Sequence, residues 1–206
     1  MAKVIVGMTM SLDGFVNDRS GSVKRLYPDL EALRKTEFLK EVIAYTGAVV
    51  MGRRAYDMAS GDFTGYEFQV PIFVVTHRPP QEATRGQNAN LSITFVTEGT
   101  EAAVQRAKKA AGARDVTVVG GASTAQQCIR AGLADELDIG IVPVLFGEGL
   151  RFFENLGERA PQLELIKVMK SPDRTDIGYR VLKQPIASGN TDHGAMSDFM
   201  TLINSS

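Results

Sequence analysis

DVTVVGGASTAQQCIRAGLADELDIGIVPVLFGEG, residues 115–149, combines the signals of a strand, a turn and a helix in one short stretch. Residues 116–119 are all β-branched, which is typical of a buried strand. In 125–133, small and apolar residues recur at helical spacing. Gly120 and Gly121 separate the two patterns, so they mark a strand-to-helix turn, the repeating unit of an α/β fold.

This glycine turn is suited to bind an anion. The first turn of a helix has backbone N–H groups without an internal partner, and the helix dipole adds partial positive charge there. Because Gly120 and Gly121 lack a Cβ atom, a phosphate can approach the backbone closely, and Ser123 or Thr124 can donate a hydroxyl to it. The alternative is that the glycines only make a tight turn and Ser123 only caps the helix. The stretch by itself leaves both interpretations open.

Length, composition and charge predict one globular domain. The chain has 206 residues, of which 44% are hydrophobic and 23% charged, and this length can bury a single large core. The net charge of -1 does not favour nucleic-acid binding. Any bound anion must therefore be held locally, by a few arginines and backbone amides.

Cysteine and histidine are too scarce for a disulfide or a metal site. Cys128 is the only cysteine, and its place on the apolar face of the helix predicts a core residue. The two histidines, His77 and His193, offer no metal-ligand spacing. No apolar run approaches the roughly 20 residues that span a bilayer, and no secretory leader pattern is seen. These features predict a cytoplasmic protein without membrane contact.

Strand-like and helix-like patterns alternate along most of the chain. Alternation of this kind implies a largely parallel sheet that is covered on both faces. The predicted helices are 37–45, 101–111 and 125–131. The predicted strands are 3–8, 48–51, 72–76, 92–96, 116–119, 137–142, 163–169 and 177–182.

The last two strands should pair with each other in antiparallel fashion, because the connection KSPDRTD between them is too short for a parallel crossover. The fold prediction is thus a mixed, mostly parallel sheet of about eight strands with helices on both faces and the last strand antiparallel. Residues 1–183 are predicted to form this domain. Residues 184–206 are predicted to form a C-terminal tail that is rich in small and polar residues. The tail is predicted to be disordered or docked, and its one apolar cluster (Phe199, Met200, Leu202 and Ile203) suggests contact with a second subunit in a homodimer.

Two further strands end in groups that can bind phosphate. In VVMGRRAYDM, Arg53 and Arg54 follow a strand, where an arginine can hold a phosphate with its planar fork. In PIFVVTHRPP, a second apolar strand ends at Thr76, His77 and Arg78. Solvated surface charge explains either segment alone, but together with the glycine turn they suit a ligand with several phosphates.

The first strand runs into the turn Ser11-Leu12-Asp13-Gly14 within MTMSLDGFV. Here Thr9 and Val16 could cover a flat ring. Asp13 could act in catalysis, but Asp-Gly is a common turn pair, so we favour a role in fixing the loop. An ordinary Rossmann domain is disfavoured, because its glycine turn follows the first strand, whereas here the turn follows about the fifth.

These four segments, in this order and spacing, resemble the dihydrofolate reductase-like family, which includes the reductase domain of riboflavin biosynthesis. The resemblance covers about residues 2–183 and implies NADPH as the cofactor, with a cis peptide between Gly120 and Gly121. The resemblance implies that the cofactor phosphates face Gly52, Arg53, Arg54 and Ala55. It implies that the adenosine 2′-phosphate region lies at Thr76, His77 and Arg78, and that the nicotinamide lies beside Thr9 and Val16. The pyrophosphate would face Gly120, Gly121, Ala122, Ser123 and Thr124.

The chain departs from this family on the substrate side. Dihydrofolate reductases hold the pterin with a carboxylate on the helix after the first strand, and the nearest acids here are Asp29, Glu31 and Glu37. Glu37 is the only candidate near the expected position, although a solvated helix face explains it equally well. The cations Arg19, Lys24 and Arg25 could meet a phosphorylated substrate or simply be surface charge. The zinc deaminase domain of the bifunctional riboflavin enzymes is not found in this chain, since it needs a His or Cys cluster.

The predicted function is an NADPH-dependent reductase that transfers hydride to a C=N or carbonyl carbon of a small heterocyclic or sugar-derived substrate. Protonation would come from water or from Asp13. One alternative is a non-catalytic NADPH-binding protein. The other is a reductase of an unrelated carbonyl compound. The predicted partners are a small-molecule substrate and a second copy of the chain, with no nucleic acid and no membrane.

Overall fold

An eight-stranded sheet forms the centre of the protein in the computed structural model, which describes residues 2–157, 161–171 and 173–182. A two-stranded ribbon of β2 and β8 lies beside it. The strands are β1 (Val4–Ser11), β2 (Phe15–Asn17), β3 (Thr46–Gly52), β4 (Ile72–Val75), β5 (Ile93–Val96), β6 (Asp115–Val119), β7 (Glu136–Val142), β8 (Leu150–Arg151), β9 (Gln162–Ser171) and β10 (Arg174–Leu182).

The strand order in the main sheet is β5-β4-β3-β6-β1-β7-β10-β9. The strands from β5 to β7 pair in parallel, and β10 pairs antiparallel with both β7 and β9. The mostly parallel sheet with a reversed last strand is therefore confirmed. Every residue of β3 is buried, as expected for a central parallel strand covered on both faces.

Helices cover both faces of this sheet. They are α1 (Leu30–Arg34), α2 (Glu37–Tyr45), α3 (Arg53–Met58), α4 (Thr100–Ala111) and α5 (Ala122–Arg130), with a short 3-10 turn at Lys24–Leu26. Alanines of α4 and α5 pack in one core on one face. Phe38 and Val42 of α2 and Tyr56 of α3 pack in a second core on the other face. Cys128 lies in the first core, where burial raises the pKa of its thiol to about 12.

The predicted helix ends agree with the structure where a sharp boundary signal exists. Helix α2 begins and ends as predicted, and the Thr36 side chain caps its N-terminus by accepting a hydrogen bond from the Leu39 amide. Helix α5 begins three residues earlier than predicted, because Gly121 is itself the N-cap residue. The sequence analysis did not predict α1 or α3, which have only five and six residues.

The ribbon of β2 and β8 was also not predicted. It holds residues 15–17 against 150–151, and the Phe152 amide donates to the Gly14 carbonyl at 2.9 Å. The loop after β1 is thereby fixed beside the sheet. No helix in the described residues is long and apolar enough to cross a membrane. The predictions for the 184–206 tail fall outside the part of the chain that the structure describes.

Candidate functional site

A cleft of about 1000 Å³ lies at the carboxyl ends of the parallel strands. This is where ligands bind in open α/β sheets. The first, third, fourth and sixth strands all contribute to its walls. All fourteen residues predicted to face the cofactor line it, namely Thr9, Val16, Gly52, Arg53, Arg54, Ala55, Thr76, His77, Arg78, Gly120, Gly121, Ala122, Ser123 and Thr124. The structure thus brings residues from four separate segments into one concave surface.

The two glycine turns of the cleft interlock. The Gly52 amide donates to the Gly120 carbonyl at 3.2 Å. A Cβ atom at Gly121 would lie 2.9 Å from the Gly52 Cα, and one at Gly52 would lie 3.0 Å from the Gly121 Cα. Since both contacts involve backbone atoms, neither turn can yield by moving a side chain. The close approach of β3 and β6 at their ends therefore depends on glycine at both positions.

Gly120 and Gly121 leave the N-terminus of α5 open toward the cleft. They have φ angles of +66° and +83°, and the structure has no cis peptide bond in the residues it describes, so the implied cis peptide is not found. No side chain caps α5. Ser123 instead accepts a hydrogen bond from Gln127 at 3.1 Å, so the alternative in which Ser123 only caps the helix is not found. The free amides of the first turn are available to an anion.

Arg53 connects its own turn, which follows β3, to the turn at residues 76–78, which follows β4. Its Nε donates to Asp57 at 2.7 Å, and its Nη1 donates to the Arg78 carbonyl. Thr76 Oγ1 donates to the same carbonyl at 3.0 Å. Arg53 therefore holds the loop after β4 in place through donors on two of its three nitrogens.

Arg54 and Arg78 supply the remaining positive charge of the cleft, and His77 lies next to Arg78 in the same turn. All three side chains are exposed, and none hydrogen bonds or ion pairs with another side chain among the described residues. A guanidinium without a protein partner can bind a phosphate without first breaking an ion pair. The structure thus separates one arginine that organises the loop from cations that are free to meet a ligand.

Asp13 lies in the turn after β1 and holds a neighbouring loop. Its carboxylate accepts hydrogen bonds from Ser11 Oγ at 2.6 Å and from the Gly147 amide at 2.7 Å, and the Phe146 amide is also within reach. The Ser11 hydroxyl, followed by these amides, lowers the pKa of Asp13 to about 2. Asp13 does not line the cleft. Its ionised carboxylate fits the loop-fixing role and is not a proton donor near neutral pH.

The candidate acids for pterin binding all lie away from the cleft. Glu37 is exposed on α2 and pairs with Lys40 at 2.7 Å. Asp29 caps α1, and Glu31 pairs with Arg34 on the same helix. None of the described residues that line the cleft is an Asp or a Glu. The structure does not bring Glu37 to the position that binding a pterin would require.

A second group of residues in the cleft lining is aromatic and apolar. It comprises the aromatic and apolar side chains Val23, Tyr27, Met58, Ala59, Phe63 and Tyr66. No sequence pattern marks these residues, because they come from the irregular segment before α1 and from the end of α3 and the loop that follows it. No periodic pattern marks these segments, so only the folded structure shows that they meet.

Two buried acids lie behind the cleft. Asp176 pairs with Arg174, whose Nη1 also donates to Thr9 Oγ1 at 3.2 Å. Asp138 accepts a hydrogen bond from the Tyr45 hydroxyl at 2.7 Å. Burial raises the pKa of both carboxyls. Through Arg174, this network fixes the orientation of Thr9 in the wall of the cleft. The described residues contain no cluster of three or more His, Cys, Asp or Glu that could hold a metal ion.

Comparison with known proteins places this cleft in a family. The chain is 26% identical over 163 residues to YyaP of Bacillus subtilis strain 168, an uncharacterized protein, and the match covers 76% of this chain and 83% of YyaP. The fold is similar to that of a diaminohydroxyphosphoribosylaminopyrimidine deaminase/5-amino-6-(5-phosphoribosylamino)uracil reductase from Thermotoga maritima. That match has a TM-score of 0.69 and 15% identity, and it covers 88% of this chain and 57% of the other.

Dihydrofolate reductase from Enterococcus faecalis, in complex with NADP(H), has the same fold. Its TM-score is 0.55 at 16% identity, with 87% of this chain and 96% of the reductase covered. The sequence-family model described as the RibD C-terminal domain matches residues 2–176 of this chain. This range includes every segment of the cleft. The chain therefore belongs to the RibD C-terminal domain family of reductases with a dihydrofolate reductase-like fold.

Proposed function

We propose that the protein is an NADPH-dependent reductase of a small heterocyclic or sugar-derived compound, similar in chemistry to the riboflavin-pathway pyrimidine reductases. The observation that carries the proposal is the pair of interlocked glycine turns, which opens the N-terminus of α5 into a cleft that also holds two arginines without side-chain partners among the described residues. This arrangement suits a ligand with both a pyrophosphate and a further phosphate.

The residues of the cleft fit NADPH in three parts. The amides at the start of α5 would hold the pyrophosphate. Gly52 and Gly121 meet beside these amides and have no side chain that could cover them. Arg54, His77 and Arg78 would hold the 2′-phosphate and neighbouring phosphates. Thr9 and Val16 would flank the nicotinamide. When bound, NADPH supplies a hydride to an electrophilic carbon.

The chain itself contributes position and shielding. Arg174 fixes Thr9, and Asp13 fixes the loop that follows β1, so the wall beside the nicotinamide position is held from two sides. Such orientation and exclusion of water account for much of the rate enhancement in hydride transfer. Since Asp13 stays ionised and the cleft carries no acid among its described residues, the proton that completes the reduction comes from water.

We also propose that the protein is a homodimer that pairs through β9. This ten-residue strand is the edge of the sheet, and Leu163, Leu165 and Val168 are exposed on it. An unpaired edge with exposed apolar side chains is a template for a further strand. The acid Glu164, which also pairs with Arg180 of the neighbouring strand, lies near one end and Lys170 near the other. Antiparallel pairing with a second copy therefore brings opposite charges to each end of the interface.

Substrate-dependent oxidation of NADPH tests the reductase proposal. Purified protein would be assayed with a panel of aminouracil ribitol precursors, pterins and small carbonyl compounds. We expect turnover with at least one member and slow turnover with dihydrofolate, because no carboxylate lines the cleft to hold a pterin. Glu37→Gln should leave the dihydrofolate rate unchanged. Tight NADPH binding without turnover on any member would favour a non-catalytic binding protein instead.

A further inference from the structure

The two ends of the cleft differ in charge. Arg53, Arg54 and Arg78 are its charged side chains, and all three belong to the turns that would hold the cofactor phosphates. The rest of the wall, within the described residues, is uncharged. Burying a substrate phosphate or carboxylate against such a wall would cost free energy without a compensating ion pair. The charge distribution therefore favours an uncharged substrate.

The loop cations that could have met a phosphorylated substrate do not line the cleft. Arg19 lies 3.5 Å from a Glu148 carboxylate oxygen, and the Arg25 guanidinium lies 5.1 Å from the centre of the Phe146 ring. Neither residue, nor Lys24, lines the cleft. This part of the chain thus offers no second phosphate site beside the one for the cofactor.

The uncharged wall is aromatic. Phe63 and Tyr66 meet edge to face, with ring centres 5.3 Å apart and planes at 89°. Phe63 also stacks on Tyr56 at 5.7 Å, which holds its ring rigidly in place. With Tyr27 and Met58 completing the wall, this surface suits a flat ring that can pack against aromatic and thioether groups.

Two phenol hydroxyls in this wall have no protein partner. Within the described residues, neither Tyr27 nor Tyr66 donates or accepts a hydrogen bond through its hydroxyl. Burial raises the pKa of Tyr66 above its ordinary value, and Glu67 and Tyr27 raise it further, so the phenol stays protonated. A protonated phenol is a hydrogen-bond donor, and its natural ligand in an uncharged molecule is a carbonyl oxygen.

We propose that the substrate is an uncharged member of the heterocyclic class proposed above, an aromatic ring that carries an aldehyde or ketone group whose oxygen accepts hydrogen bonds from Tyr27 and Tyr66. The turnover of this compound, though not its binding, rests on the function proposed above. Hydride then adds to the carbonyl carbon, the π electrons of the C=O bond move to oxygen, and oxygen takes a proton from water. The carbonyl is reduced to an alcohol, and NADPH is oxidised to NADP⁺.

The test compares two aldehydes of similar shape, the neutral 4-methylbenzaldehyde and the anionic 4-carboxybenzaldehyde. Their binding to the full chain is measured by calorimetry with NADP⁺ present, so that the carboxylate cannot use the phosphate site. A separate titration with NADP⁺ alone reports on the cofactor site. Tyr27→Phe and Tyr66→Phe remove one hydroxyl each, and Tyr179→Phe, at a tyrosine of β10 outside the cleft lining, is the matched control.

We expect 4-methylbenzaldehyde to bind more tightly than 4-carboxybenzaldehyde. Loss of one hydrogen bond should weaken its binding by about three- to tenfold in Tyr27→Phe and Tyr66→Phe, and Tyr179→Phe should bind it as the wild type does. Tighter binding of the anionic aldehyde, or unchanged affinity in both cleft variants, would overturn the proposal. If the protein does not bind NADP⁺, the cofactor assignment fails, while titration of the free wild type, Tyr27→Phe and Tyr66→Phe with 4-methylbenzaldehyde still decides the role of the two hydroxyls.

Discussion

At the scale of single residues, Arg53 and Arg78 share one loop but have different roles. Arg53 donates to Asp57 and to the Arg78 carbonyl, whereas the Arg78 side chain has no protein partner in the described chain. A charge-assisted hydrogen bond to a phosphate contributes about 1.5 to 3 kcal/mol. Arg78→Ala should therefore weaken NADPH binding by about ten- to a hundredfold and NADH binding much less.

Calorimetric titration with both cofactors measures this effect. Arg106→Ala is the control, because Arg106 pairs with Glu98 near α4 and lies outside the cleft lining. Arg53→Ala should weaken NADPH and NADH alike, since it loosens the loop that both cofactors contact. An Arg78→Ala variant that loses NADPH and NADH equally would show that this guanidinium does not meet the 2′-phosphate.

Asp13 gives a prediction about pH and stability. Its pKa in the folded protein is about 2, below the value of an unfolded chain. A lowered pKa contributes stability above the unfolded value, and this contribution is lost as the pH falls toward the folded value. The melting temperature of Asp13→Asn should thus lie below that of the wild type between about pH 5 and 8, and the difference should shrink below about pH 4.

Thermal denaturation across this pH range, followed by circular dichroism, provides the measurement. Since Asp13 is ionised at every pH of the assay, the pH profile of NADPH oxidation should have the same shape in the variant. An inflection of the wild-type profile near neutral pH that disappears in Asp13→Asn would contradict the loop-fixing role and make Asp13 a proton donor.

At the scale of elements, the junction of β3 and β6 depends on glycine. A Cβ atom at Gly121 would lie 2.9 Å from the Gly52 backbone, and its φ of +83° is strained for other residues. Gly132, just beyond the other end of α5, has a φ of +66° but no neighbouring atom within 4 Å of a Cβ. Gly121→Ala should lower NADPH affinity by more than about tenfold, whereas Gly132→Ala should cost only conformational strain of about 1 kcal/mol.

Cofactor titration and urea unfolding separate the two effects. Both variants should be destabilised by the positive φ, but only Gly121→Ala should lose cofactor affinity, because only there does the new methyl group separate the two turns. Equal NADPH affinity in Gly121→Ala and Gly132→Ala would mean that the junction is not a binding element.

The same elements show what could be predicted from the sequence. The strands around Gly52 and Gly121 and the helix α2 were predicted because long apolar runs, glycine turns and the Thr36 cap are local signals. Helix α3 has six residues and the β2–β8 ribbon is shorter still, so no periodicity could develop in them. The wall with Tyr27 and Tyr66 could not be predicted from the sequence, since only the tertiary packing brings these residues together.

Glu37 illustrates the opposite case. Its position in the sequence, on the helix after the first strand, matches the place of a pterin-binding acid. The structure directs its side chain toward solvent and Lys40, because Phe38 and Val42 occupy the buried face of α2. A match in sequence position does not determine the face of a helix on which a side chain lies.

At the scale of the whole molecule, β9 determines the expected assembly. Leu165 and Val168 are 57% and 58% exposed on this edge strand. A double substitution of both residues by lysine should prevent pairing and convert the dimer to a monomer, since like charges then meet across the two-fold axis. Multi-angle light scattering measures the mass. Leu145→Lys, at an equally exposed leucine in the loop after β7, should remain a dimer.

A monomeric wild type would reject the dimer. A lysine double variant that remains dimeric would reject β9 as the interface and would mean that the dimer forms through another surface.

The central claim is that the cleft binds NADPH, and calorimetric titration of the full chain with NADPH and NADH tests it most directly. Arg54 and Arg78 line the phosphate end of the cleft without side-chain partners in the described part of the chain, so each contact to the 2′-phosphate should add to the affinity for NADPH. The account predicts that NADPH binds at least about tenfold more tightly than NADH at low ionic strength. Equal affinities, or no binding of either cofactor, would contradict it.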